Sequence, residues 1–145
     1  MAQTTSTEHG AVLLRADKLR LLVPQAEIGE IEHLDTLPTQ SGLPGFLTVP
    51  GQDDVCYIVL AQNFTLLDTC PEDRFITTKI VTAEGITTQW CWSEARTLPD
   101  FAPEIHELPD VLLNAASPVR QYTLMDGQPV FVCSAKTLQH LLLGA

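Results

Sequence analysis

From Thr36 to Gly51 the chain carries Pro38, Pro44 and Pro50 together with Gly42, Gly45 and Gly51, and no other feature restricts its fold as much. Proline removes a backbone donor and glycine loosens the backbone, so a long helix is excluded here and a bent, irregular connection is expected. A second stretch, Leu98 to Asp110, holds Pro99, Pro103 and Pro109 and reads as a surface excursion with at most one helical turn. Between such breakers only short segments remain. Ala11 to Arg15 and Lys18 to Val23 are apolar-rich and read as a hairpin about Ala16-Asp17, although no glycine supplies a positive φ there. Pro24 stops the second strand, and Gln25 to Ile28 is at most one helical turn before Gly29. Glu30 to Leu34 resumes alternation, which predicts Ile31 inward and Glu30 and Glu32 outward.

Val55 to Leu60 is continuously apolar and β-prone, the pattern of a central strand covered on both faces. Arg74 to Thr82 and Ile86 to Trp92 form a hairpin closed at Glu84-Gly85, where glycine can take the positive φ. Val119 to Leu124 and Pro129 to Cys133 form another, closed at Asp126-Gly127. Ser134 is a good N-cap for a single terminal helix, Ala135 to Leu143, with Leu138, Leu141 and Leu142 at helical spacing and Gly144 as the stop. Short strands joined by Gly- and Pro-rich turns indicate a mainly β barrel or sandwich. A hairpin, a proline-rich excursion and a further strand occur once in each half, which suits two small barrels sharing one core.

The 145 residues, 45% hydrophobic and 18% charged, describe one compact domain, which at this size buries roughly 68–70% of its unfolded surface and needs neither disulfide nor metal. Residues 1–10, small and polar, read as a disordered arm, leaving 11–145 as the domain. Eighteen acids against eight Lys and Arg give a net charge of −10, which disfavours nucleic acid and anionic membrane surfaces alike. Between Leu21 and Asp73 there is no Lys or Arg, whereas nine of the acids lie there, so a charged partner of this half would be basic. Cys56, Cys70, Cys91 and Cys133 lack CxxC spacing and read as reduced core residues. No stretch has the pattern of a signal peptide or a membrane span, and a cytoplasmic location is expected.

Motifs of the common catalytic chassis, GxSxG, the P-loop, GxGxxG and HExxH, are absent from the sequence. His9, His33, His106 and His140 are scattered without ligand spacing, so no metal and no cofactor are expected. His106, flanked by Glu104 and Glu107, is the best acid–base cluster, yet acids in a proline-rich loop usually serve solubility. Asp53-Asp54 and Glu72-Asp73 sit beside breakers, where acids favour turns. Cys91 lies between Trp90 and Trp92, and strand alternation puts both indoles on one face and the thiol on the other. The indoles fit either a core or the wall of an apolar small-ligand pocket.

One ordered pattern adds to these readings. Leu22 to Ile31 (Leu-Val-Pro-Gln-Ala-Glu-Ile-Gly-Glu-Ile), then Leu37-Pro38, Gly45 to Gly51 and the strand Val55 to Leu60, resembles the CheW-like domain family in order and spacing. The hairpin Arg74 to Trp92, Leu108-Pro109 and the strand-Asp-Gly-strand-helix ending from Tyr122 to Leu143 continue the resemblance, which spans nearly the whole chain from Ala11. Pro50 stands where the family usually has Arg, Leu60-Ala61 where it has Asp-Leu after an apparent two-residue insertion, and Trp92-Ser93-Glu94 in place of a Val-Asp motif, so the chain looks like a divergent member. The resemblance implies two small SH3-like five-stranded β-barrels with a short C-terminal helix. It also implies a non-catalytic scaffold that couples chemoreceptor cytoplasmic tips to the regulatory domain of a CheA-type histidine kinase, pilus-driven motility being one output such proteins serve. The receptor-facing positions would be Ile28, Glu30 and Gly45, as an apolar anchor, a charge for specificity and a point of close backbone approach. A core Ile28, a solvated Glu30 and a turn-forming Gly45 fit the same residues.

Overall fold

The computed structural model describes residues 10–40, 46–49, 51–61, 64–82, 85, 87–99, 104–109 and 119–144, and for 52–54 and 142–144 the backbone alone. The strands are β1 (Ala11–Ala16), β2 (Leu19–Pro24), β3 (Ile28–His33), β4 (Thr39–Gln40), β5 (Leu47–Val49), β6 (Gln52–Val59), β7 (Ile76–Val81), β8 (Thr87–Trp92), β9 (Glu94–Leu98), β10 (His106–Glu107), β11 (Gln121–Met125) and β12 (Gln128–Val132). A 3-10 turn, Gln25–Glu27, joins β2 to β3, and the helix α1 (Ala135–Gly144) follows β12. The expected arm lies almost wholly outside the described residues.

Two six-stranded sheets result, ordered β10-β11-β12-β2-β1-β9 and β3-β7-β8-β6-β5-β4. The expected pair of SH3-like β units is present, and the sixth strand of each is a two-residue edge strand, β10 or β4. Among the described residues neither sheet closes on itself. Both have one layout: two antiparallel triplets joined through a single parallel pair, β12 with β2 in the first sheet and β8 with β6 in the second. The repeat is nested, not split at mid-chain. The first hairpin pairs with β9 and β12, and the whole second sheet, β3 to β8, is inserted between. Parallel partners need a long crossover: between β2 and β12 it is the whole run β3 to β11, and between β6 and β8 it is a connecting segment and the single strand β7.

Turn chemistry explains the hairpins. Asp17 supplies the positive φ (59°) that glycine does not, an αL position that Asp tolerates through its short polar side chain. Asp126 (54°) and Gly127 (78°) are both left-handed, as a tight two-residue connection between twisted strands requires. Ser134 caps α1, its Oγ accepting the Thr137 N–H at 3.1 Å.

Alternation along the strands sorts side chains into three cores. The largest lies between the sheets: Val12, Leu14, Leu21 and Val23 of the first meet Ile58, Ile80, Trp90 and Trp92 of the second, with Leu138 of α1. The opposite faces make smaller cores, Leu13, Leu22 and Val130 on the first sheet and Leu47, Tyr57, Val59 and Cys91 on the second. β6 therefore sends Ile58 into the shared core and Tyr57 and Val59 into the other, as a strand covered on both faces should. Trp90 and Trp92 stack with centroids 6.1 Å apart and are wholly buried, their indole N–H groups donating to Thr88 (2.6 Å) and Thr78 (2.8 Å). They are core residues, and the pocket-wall reading is corrected: all their area is taken up by the packing of one sheet on the other.

Two further expectations change. Ile31 is 40% exposed: the register of β3 against β7 shifts between Ile28 and Ile31, and from Gly29 to His33 the strand is exposed at every residue instead of alternating. Of the cysteines, Cys91 and Cys133 are buried, Cys70 is half-buried and Cys56 is exposed, so the core reading holds for two.

Candidate partner-binding surface

The residues proposed to meet a partner begin where the chain leaves the first sheet for the second. Pro24 ends β2, the 3-10 turn reverses the chain, and β3 starts at Ile28. The turn is held at both ends. Gln25 N–H donates to the Gly10 carbonyl at 3.0 Å, and the Glu27 carboxylate accepts the Ala135 N–H at 2.8 Å, which meets one of the orphan donors at the start of α1. β3 pairs only with β7, so its other edge is open among the described residues.

On this edge Ile28 lies opposite Ile80 and packs, half-buried, against the shared core. Glu30 is exposed, its carboxylate 3.5 Å from Lys79 Nζ, and an ion pair in such an open setting contributes little to stability. Gly29 sits between them, where an added Cβ would approach the Lys79 Cβ to 3.0 Å, a tight contact that Lys79 would have to relieve by shifting a few tenths of an ångström. Ile31, Glu32 and His33 complete the edge, with the His33 ring 4.8 Å from Phe75. Structure thus brings Ile28 and Glu30 together on one strand and adds Ile31 to them. Gly45, with Pro50, lies outside the described residues.

The seam between the sheets depends on a residue that sequence reading passed over. Arg74 is fully buried, its Nη1 donating to the Leu60 carbonyl at 2.7 Å and its Nη2 to the Asp17 carboxylate at 3.0 Å. One guanidinium therefore joins the turn of the first hairpin to the end of β6 in the other sheet. Its Nε–H has no acceptor among the described residues. Beside it Ser93 donates to Asp73 at 3.0 Å, and the Ser93 N–H donates to the Arg15 carbonyl at 2.8 Å. In the sequence Arg74 marks only the end of the cation-free stretch, and no local pattern reports its burial.

The acid–base cluster proves open. His106 Nε2 is 3.3 Å from the exposed Glu104 carboxylate and its ring lies 5.2 Å from Tyr122, while Glu107 accepts from Gln121 at 2.9 Å. Neither of two shallow cavities reaches these groups. One of about 500 Å³ is lined by Leu37, Pro38, Thr39, Gln40, Thr69 and Cys70. The other, about 200 Å³, lies among Arg15, Arg20, Glu94, Arg96 and Asp126. No described helix is long and apolar enough to cross a membrane.

No family profile matches the sequence, and no curated protein is significantly similar to it. In three dimensions the chain is similar to the scaffolding protein TtCheW from Thermoanaerobacter tengcongensis, with a TM-score of 0.60 over 86% of this chain and 88% of that one, at 12% sequence identity. Paired β units around a shared core, a terminal helix and this likeness, at so low an identity, lead to one conclusion: the chain has the CheW-like fold, carried by a strongly diverged sequence.

Proposed function

We propose that this protein is a non-catalytic cytoplasmic adaptor of a chemotaxis-like signalling array. Residues 11–145 act as one domain that holds a chemoreceptor cytoplasmic tip and the regulatory domain of a CheA-type histidine kinase in fixed relative positions, with pilus-driven motility among its outputs. The observation that carries this reading is the CheW-like fold itself, since TtCheW is a scaffolding protein. The open edge of β3 is consistent with it. Ile28 is the apolar anchor, Glu30 the charge that selects orientation, and Gly45 the point where a partner's backbone comes close. The adaptor acts by assembly and shifts the kinase's equilibrium only through contacts that differ between the kinase's states.

Isothermal titration against the cognate receptor tip and kinase regulatory domain tests this. Binding at tens of micromolar or tighter, roughly −6 kcal/mol, is expected. Glu30→Lys should weaken the receptor interaction about tenfold with an unchanged circular dichroism spectrum. No binding to either partner at that concentration would remove the adaptor role.

A further inference from the structure

The eight Lys and Arg of this acidic chain are not spread evenly: three of them, Arg15, Arg20 and Arg96, line the smaller cavity. It opens on the face of the first sheet turned away from the shared core, where Leu13 of the smaller core forms part of its wall. Strand register explains how the cations meet. Arg15 of β1 lies opposite Arg20 of β2 on one side and opposite Glu94 of β9 on the other, and Arg96, two residues beyond Glu94, falls on the same face. Like charges directly opposite one another in a sheet repel. Arg15 is offset by Glu94, Nε to Oε1 at 3.1 Å, and its Nη1 donates to the Asp17 carbonyl at 3.1 Å, so this guanidinium is held in place. Arg20 and Arg96 differ: among the described residues neither has a carboxylate within ion-pair distance, in a chain that carries eighteen acids. Asp126, exposed at the tip of the β11–β12 hairpin, completes the rim. Three guanidiniums thus face two carboxylates, one of which is already engaged.

At about 200 Å³ the cavity is smaller than the roughly 300–1,000 Å³ that enclose a drug-sized molecule, and it suits one small group. Arg20 and Arg96 stand on the two strands that flank β1, roughly 10 Å apart, so a group held by both must offer acceptors on opposite sides. Phosphate does so, with oxygens at the corners of a tetrahedron; a carboxylate has both oxygens in one plane and suits a single arginine fork. We propose that this cavity is a binding site for the phosphate group of a small molecule, gripped by Arg20 and Arg96 with Arg15 between them. The free anion and a phosphate monoester present the same oxygens, and the organic part of a monoester extends through the mouth into solvent. The site is independent of the adaptor reading, since it lies on the sheet that does not contain β3.

Titration of the full chain with sodium phosphate and, separately, with glycerol phosphate tests this, at constant low ionic strength and followed by the arginine Nε–H resonances. The Arg20 and Arg96 signals should shift saturably, with a Kd of about 1 mM or tighter. Arg20→Gln and Arg96→Gln should each weaken binding about tenfold. Arg120→Gln, which removes an exposed charge outside the cavity, should change it less than about twofold. Asp126→Asn removes a repelling carboxylate and keeps a residue that tolerates the positive φ of 54°, so binding should tighten about threefold. Tighter binding of glycerol phosphate than of phosphate assigns the site to a monoester, and equal or weaker binding assigns it to the free anion. No saturable shift below about 10 mM phosphate, equal binding of acetate, or the same loss in Arg120→Gln as in Arg20→Gln would overturn the proposal.

Discussion

At the scale of single residues, the seam between the sheets rests on polar groups buried where the surroundings give them few alternatives. Arg74 has two of its three nitrogens engaged, one across sheets with Asp17 and one with Leu60, and its Nε–H unmet. Truncating a large buried side chain leaves a cavity, and here it also strips the Leu60 carbonyl of its donor. Arg74→Ala is therefore expected to lower unfolding free energy by about 3 kcal/mol in urea titration, and Arg74→Lys to recover little, since a point charge does not span two acceptors. Asp17→Ala, which leaves the Arg74 guanidinium buried without its counter-charge, should cost a comparable amount. The stacked indoles supply a second test. Thr78→Val keeps the volume but leaves the buried Trp92 N–H unmet, which should destabilise by roughly 1–3 kcal/mol, whereas a purely apolar role for Thr78 predicts no loss. These pairings were not legible in the sequence. Arg74 and Asp17 are 57 residues apart, and neither has neighbours that differ from those of a solvated charge.

Elements whose signals are local were legible. Asp126-Gly127 and Glu84-Gly85 announced their hairpins because a tight turn demands positive φ, and Ser134 announced α1 because a helix start demands a side-chain acceptor. Elements that exist only through their neighbours were not. β4 and β10 are two residues long and are strands solely because β5 and β11 lie beside them. Past its bulge β3 is exposed at every residue, Ile31 included, where alternation predicted one covered face. Of the candidate site, the strand and the pair Ile28 and Glu30 could be read, but the outward Ile31 beside them could not. The bulge makes a sharp contrast testable by thermal or chemical denaturation. Ile31→Ser should change stability by less than about 0.5 kcal/mol, while Ile28→Ser, against the shared core, should cost about 2 kcal/mol. Gly29→Ala, forced against Lys79, should cost about 1–2 kcal/mol by prising β3 from β7.

For the whole molecule, the decisive fact is that each sheet contributes one face to a common core and keeps a smaller one for itself. Neither sheet can lose its structure without exposing the apolar face of the other. Tryptophan fluorescence, which reports the common core, and far-ultraviolet circular dichroism, which reports both sheets, should therefore give coincident transitions in urea. Two separated transitions would mean that the sheets are independent units. The nested order of strands has a consequence for synthesis. While the ribosome releases the chain, the opening hairpin emerges with both edges bare; β9 arrives only after the whole second sheet, and β12 is the final strand. The hairpin's maturation must wait for nearly the full length, so slow folding and a need for shielding of the nascent hairpin are built into the strand order.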